Sequence, residues 1–182
     1  NASYEVLEAL LESEWHECRL CALLILREKY RKEPDKAVSF YLSHLGGIDN
    51  WDLVDLSAPY MLGDHMRNKE DRGILYELAK SDNMWEQRIA IVSTLMLIRY
   101  GQFDDTLRLA EMFLGTRHDL IRKAVGWMLR EVGKRDLMKL QNFLESYMYV
   151  MPRTMLRYAI EKLPPEQRRY YMVTSVSTAV KQ

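Results

Sequence analysis

A carboxylate one turn into an otherwise apolar helix is the first feature of this chain that asks for a chemical reason. In the stretch "NWDLVDLSAPYMLGD", residues 50–64, Asp52 is explained by its position. Asn50 or Asp49 can cap the helix, and an acid in the first turn meets the positive end of the helix dipole. Asp55 lies a turn deeper, among Leu53, Val54, Leu56 and Ala58. An ionised carboxylate there loses solvation that something else must replace. A cation on a neighbouring helix, such as Arg88, can do so as a structural salt bridge. Residue types alone do not say whether that is its purpose.

The other chemistry-bearing residues divide in the same way. Cys18 and Cys21 form a CxxC with His16 nearby. A structural zinc site needs four ligands, and neither a second CxxC nor a histidine pair is present. The pair is therefore expected as two small apolar residues on one helix, in a reducing cytoplasm, with no metal bound. Trp85 suits core or cap packing, and Trp51 and Trp127 suit a place in the core as well as one outside it. Lys123 and Arg130 suit either a solvated face or a contact with phosphate.

The elements that position these residues are helices. Apolar residues recur at three- and four-residue spacing almost throughout, and runs of alternating β-branched residues are missing. The spacing predicts helices over 3–13, 15–31, 35–45, 50–62, 69–80, 84–99, 103–114, 118–133, 136–148, 153–162 and 165–178, with Pro34, Pro152, Pro164 and Pro165 at element edges. Asn83 with Glu86 reads as a capping box. Every second helix starts at a comparable point: Trp15, Trp51, Trp85 and about Leu120, separated by 36, 34 and 35 residues. A helix-pair period of this size is the signature of an all-α fold, an α-solenoid of HEAT-like pairs, here expected as a single domain over 1–182. The second helices of the pairs would line one surface. Turning each by about 100° per residue from its start puts Trp51 and Trp85 near ~0°, Asp55 at ~40° and Arg88 at ~−60°. On the helix begun at Leu120, Lys123 falls at ~−60°, Trp127 at ~−20° and Arg130 at ~−80°. One carboxylate, several indoles and several cations share that broad face.

Bulk properties narrow the partners. The 182 residues carry 26 Lys and Arg against 26 Asp and Glu, for zero net charge. The charge is unevenly spread: residues 1–60 hold six basic against eleven acidic side chains, and residues 117–170 hold twelve against six. A basic C-terminal half can present a positive face to phosphates even in a neutral chain. No apolar run reaches the roughly 18 residues of a membrane span. Asn1 and Ala2, with no initiator methionine, read as an expression scar, so the chain is expected to begin inside a longer protein.

Four segments carry a resemblance. "NWDLVD", "SDNMWEQRIAIVST", "IRKAVGWMLREVGKRD" and "MPRTMLRYAIEKL" strongly resemble the AlkD-type DNA alkylation repair family of HEAT-like DNA glycosylases, from about residue 15 to residue 170. The resemblance implies hydrolysis of the N-glycosidic bond of cationic N3- and N7-alkylated purines in double-stranded DNA, with no metal and no cofactor. It implies a reaction run from the backbone side, without a base pocket, in a bacterial cytoplasm and at the nucleoid while acting. Asp55 in "WDLVD" matches the catalytic aspartate, and Trp51 matches the tryptophan one turn before it. Arg88 in "WEQR" matches an arginine at the DNA backbone beside the lesion. Trp127 in "VGWMLRE" matches a second lesion-contacting tryptophan. Lys123, Arg130, Lys134, Arg135, Arg153 and Arg157 then read as phosphate contacts that position the duplex without reading its sequence. Relatives usually begin with two or three further helices, so weaker DNA binding, lower stability or self-association through residues 3–31 is expected here. Two rival readings stand beside this one: a non-catalytic DNA-binding relative, and a helical scaffold that binds protein.

Overall fold

The computed structural model describes residues 2–177, and among them there is no strand. The helices are α1 (Tyr4–Leu11), α2 (His16–Tyr30), α3 (Pro34–Ser43), α4 (Trp51–Ser57), α5 (Asp64–Met66), α6 (Gly73–Ala79), α7 (Met84–Arg99), α8 (Asp104–Met112), α9 (Asp119–Gly133), α10 (Leu137–Tyr147), α11 (Arg153–Ala159) and α12 (Pro165–Ser177). These agree with the spacing of the apolar residues to within a few positions at most ends; the expected last residue of the final helix, 178, lies outside the described residues. The chain divides into two compact units, residues 1–97 and 98–182.

Local chemistry sets the starts. Asn50 caps α4, its side-chain oxygen accepting from the Trp51 backbone N–H at 2.7 Å. Asp136 caps α10 through the Lys139 N–H at 3.0 Å. Asn83 caps α7 by accepting from the Trp85 N–H at 2.9 Å, one residue short of the Glu86 N–H that the expected capping box would use. The return bond differs too: the Asn83 N–H donates to the Ser81 hydroxyl at 3.0 Å, so Ser81 takes the place expected for Glu86.

Two expected helices are interrupted, each for a visible reason. The span 50–62 contains Pro59, which has no N–H to donate and pushes on the preceding turn. Beyond Ser57 the chain widens into a π-helical turn, Pro59–Gly63, with the Gly63 N–H reaching the Ala58 carbonyl at 2.9 Å. The wide turn sets Gly63 directly against α7, where a Cβ would collide with the Ser93 carbonyl. The span 69–80 begins only at Gly73, because Arg72 folds back. Its Nε donates to the Met66 carbonyl at 2.9 Å and its Nη2 to the Arg67 carbonyl at 3.0 Å, closing the open end of α5.

Packing follows the repeat. In the first unit α2 lies against α1 and α3 within the hairpins and against α4 one repeat on. In the second, α9 lies against α8 and α10, and against α11 one repeat on. Stacking of every second helix is how a solenoid buries its core. On α9 the buried residues Ile121, Ala124, Val125, Met128, Leu129 and Val132 form a single stripe at three- and four-residue spacing. The same stripe leaves Lys123, Trp127 and Arg130 only half-buried.

Gly126 makes the α9–α11 contact possible. A Cβ there would lie 2.5 Å from both the Met155 carbonyl oxygen and the Tyr158 Cβ. Neither neighbour is the far end of a flexible side chain, so the helices would have to separate. We predict that Gly126→Ala lowers stability by about 2 kcal/mol, an overpacking cost of about 3 offset by about 1 of helix propensity. Urea unfolding followed by helical circular dichroism measures this; an unchanged midpoint would contradict the close approach.

Candidate active site at the start of the second and fourth helices

Asp55 sits on the fifth residue of α4, facing the N-terminal part of α7. Arg88 meets it there in a two-pronged bond: Nε donates to Oδ1 at 3.0 Å and Nη2 to Oδ2 at 2.8 Å. The planar guanidinium fork matches both carboxylate oxygens, which fixes the carboxylate plane as well as its place. Arg88 is only 5% exposed, whereas the Asp55 side chain keeps 19% of its surface in water. The cation is thus behind and the carboxylate in front. Burial pushes the Asp55 carboxyl above its ordinary value, the Arg88 bond and charge pull it back, and the Asp52 charge pushes it up again; the net direction is upward. Arg88, expected at a DNA backbone, has the Asp55 carboxylate as its partner in this structure.

Trp51, one turn before Asp55, is 54% exposed, so it is not core. Asp52 beside it meets His16, whose Nε2 lies 2.8 Å from Oδ2. His16 opens α2, and Arg19, one turn on, reaches Asp49 at 3.0 Å. Trp85 is half-buried at the start of α7.

The second unit holds the remaining candidates. Trp127 is half-buried on α9. Lys123 is paired with Asp119 at 2.7 Å and Lys134 with Glu131 at 2.6 Å. Arg130 is paired with Glu161 on the segment after α11. Arg153 donates to the Met172 carbonyl at 2.7 Å. Arg135 and Arg157 are exposed and make no ion pair among the described residues. Three of the six expected phosphate contacts therefore already hold a carboxylate, which a phosphate would have to displace.

A sequence model of the family described as DNA alkylation repair enzyme matches residues 1–163. The chain belongs to the DNA alkylation repair enzyme family. Its fold is similar to that of a solved structure, the predicted DNA alkylation repair enzyme from Enterococcus faecalis, with a TM-score of 0.75 and 19% identity over 88% of this chain and 75% of that one. A search of curated proteins finds no match. Membership assigns the chain to DNA repair and makes DNA its partner.

For a DNA repair enzyme, the unexpected residues are those that partner the acids at the start of α4, His16 with Asp52 and Arg19 with Asp49. Sequence reading took His16 only as a possible zinc ligand and did not name Arg19. The signal was present in the repeat: His16 and Asp52 are 36 residues apart, one period, and open consecutive stacked helices.

Proposed function

We propose that this member of the family is a DNA glycosylase of the AlkD type, hydrolysing the N-glycosidic bond of cationic N3- and N7-alkylated purines in duplex DNA. The observation that carries the reading is Asp55 itself, a partly exposed carboxylate held in one orientation by a buried arginine, with an exposed indole one turn away.

An alkylated purine leaves readily because departure of the C1′–N9 bonding pair to the base neutralises it. The deoxyribose left behind is oxocarbenium-like, positive near C1′. Asp55 stabilises that charge electrostatically and orients the water whose oxygen bonds to C1′ and whose proton is then lost. Arg88 acts as the positioning residue, holding the carboxylate ready rather than touching DNA first. Trp51 presents its face to the positive sugar or base. Trp127, matching the family's second tryptophan, is assigned a similar lesion-contacting role. Arg135 and Arg157 supply phosphate contacts, with Lys123, Arg130, Lys134 and Arg153 as further contacts once their present partners are exchanged.

The rival reading takes the Asp55–Arg88 bond as a structural bridge in a binding-only protein. Release of free base from a duplex carrying one N7-methylguanine separates the two. The proposal predicts release, scored as strand breaks after alkali, at a rate unchanged by a metal chelator. Salt-sensitive duplex binding without release would instead support the binding-only protein.

The pH dependence follows from the site. The reaction needs the ionised carboxylate, and burial holds the Asp55 carboxyl above its ordinary 3.8. Activity is therefore expected to fall as pH is lowered, along a limb whose midpoint lies above that of an ordinary aspartate. The same upward shift means that this group's contribution to stability is present below the unfolded pKa and lost as pH rises through the folded one. A rate profile under protein excess locates the limb; a flat profile down to pH 4 would contradict it.

A further inference from the structure

Tryptophan is one of the most heavily buried residues on average, yet two of the four here stand in water at equivalent places in the repeat. Trp15 is 65% exposed and Trp51 54% exposed. Trp15 precedes the first residue of α2, and Trp51 is the first residue of α4, the helix stacked on α2 one repeat later. Two side-chain bonds lock these helix starts together. His16, next to Trp15, meets Asp52, next to Trp51, at 2.8 Å, and Arg19 meets Asp49 at 3.0 Å. The Trp15 backbone is fixed as well. Its N–H donates to the Ser13 hydroxyl at 3.2 Å, and its carbonyl accepts from the Cys18 N–H at 3.1 Å. An indole held at the backbone, left bare at the ring and registered to a second indole is built to contact something outside the chain.

We infer that Trp15 is a further duplex-contacting tryptophan, one that touches the lesion-bearing strand a few nucleotides from the one facing Trp51. The inference rests on the proposed duplex reaction. Stacked helices lie about 8–10 Å apart, which carries the second indole roughly two to three nucleotides along a strand. The neighbourhood favours a neutral contact. Residues 1–60 carry more acid than base, and Asp49 and Asp52 flank this edge. Arg19 pairs with Asp49 and reduces its repulsion of phosphate, and His16 lies within hydrogen-bond distance of Asp52. Against that edge an indole supplies an apolar face for deoxyribose and a single N–H donor for a phosphate oxygen, with no charge to be neutralised by the acids.

The test is duplex affinity of Trp15→Ala and Trp15→Phe, measured on both an N7-methylguanine duplex and its unmodified counterpart, with unfolding midpoints recorded alongside. The expected result is a five- to tenfold loss of affinity for both duplexes in Trp15→Ala, the scale of one aromatic contact, with Trp15→Phe between it and the native chain. The base-release rate at saturating protein stays within twofold of native. Unchanged affinity in Trp15→Ala overturns the inference, whatever happens to the unfolding midpoint, and so does a native chain that fails to bind duplex. A native chain that binds duplex but releases no base refutes the glycosylase reading while leaving the affinity comparison to decide the role of Trp15.

Discussion

Arg88→Met is expected to lower stability by about 3 kcal/mol, the low end of the range for breaking one side of a buried ion pair. The low end applies because Asp55 retains 19% of its side-chain surface in water and can recover part of its solvation. Methionine fills most of the arginine's path and keeps the apolar packing of α7, so the loss isolates the charge. Adding Asp55→Asn to Arg88→Met is expected to recover part of the stability, because the stranded carboxylate is then gone. The chemistry changes too. Both influences that lower the Asp55 carboxyl, the hydrogen bond and the charge, come from Arg88. Without them burial dominates, the carboxyl rises further, and the acid limb of the rate profile moves to higher pH. Urea unfolding and the rate profile check the two halves separately. A stability change within about 0.5 kcal/mol, the scatter of ordinary surface substitutions, would show that the pair is not the anchor between α4 and α7.

Asp55→Asn is expected to reduce the rate of base release about a hundredfold, the scale of removing one preorganised electrostatic group from a transition state. Asparagine keeps the shape and still offers one oxygen to the Arg88 fork, so position survives while the negative charge does not. Duplex binding is expected to hold or tighten, since one acid near the phosphates has been removed. A loss confined to the chemical step is the signature that separates a catalytic carboxylate from a structural one.

Much of this was legible in the sequence because the physics is local. Helices announce themselves through three- and four-residue apolar spacing, and the repeat through the recurring starts at Trp15, Trp51 and Trp85. Asp55 stood out because a charge among Leu53, Val54, Leu56 and Ala58 needs a partner, and Arg88 was already a candidate for it. Pro59 was legible in principle but masked by the apolar run on both sides of it. Its consequence, a π-helical turn that presses Gly63 onto α7, depends on what α7 places opposite. The pairs Lys123–Asp119 and Lys134–Glu131 lie at helical spacing and could be read from one segment. Arg130–Glu161 and His16–Asp52 could not, because they join residues 31 and 36 apart in sequence and exist only once packing sets the register. Exposure was the least legible property. Periodicity gave no reason to prefer surface over core for Trp51, and only the packed structure shows its ring in water.

The central claim is that the Asp55 carboxylate, held by Arg88, stabilises the sugar cation left when an alkylated purine departs. Its most direct test is the single-turnover rate of N7-methylguanine release from a duplex under protein excess, compared between the native chain and Asp55→Asn, with duplex affinity and helical content measured for both. Release by the native chain and about a hundredfold slower release by the variant are expected, with affinity and fold retained. Equal rates in two folded, DNA-binding proteins would contradict it and return Asp55 to the role of a structural bridge.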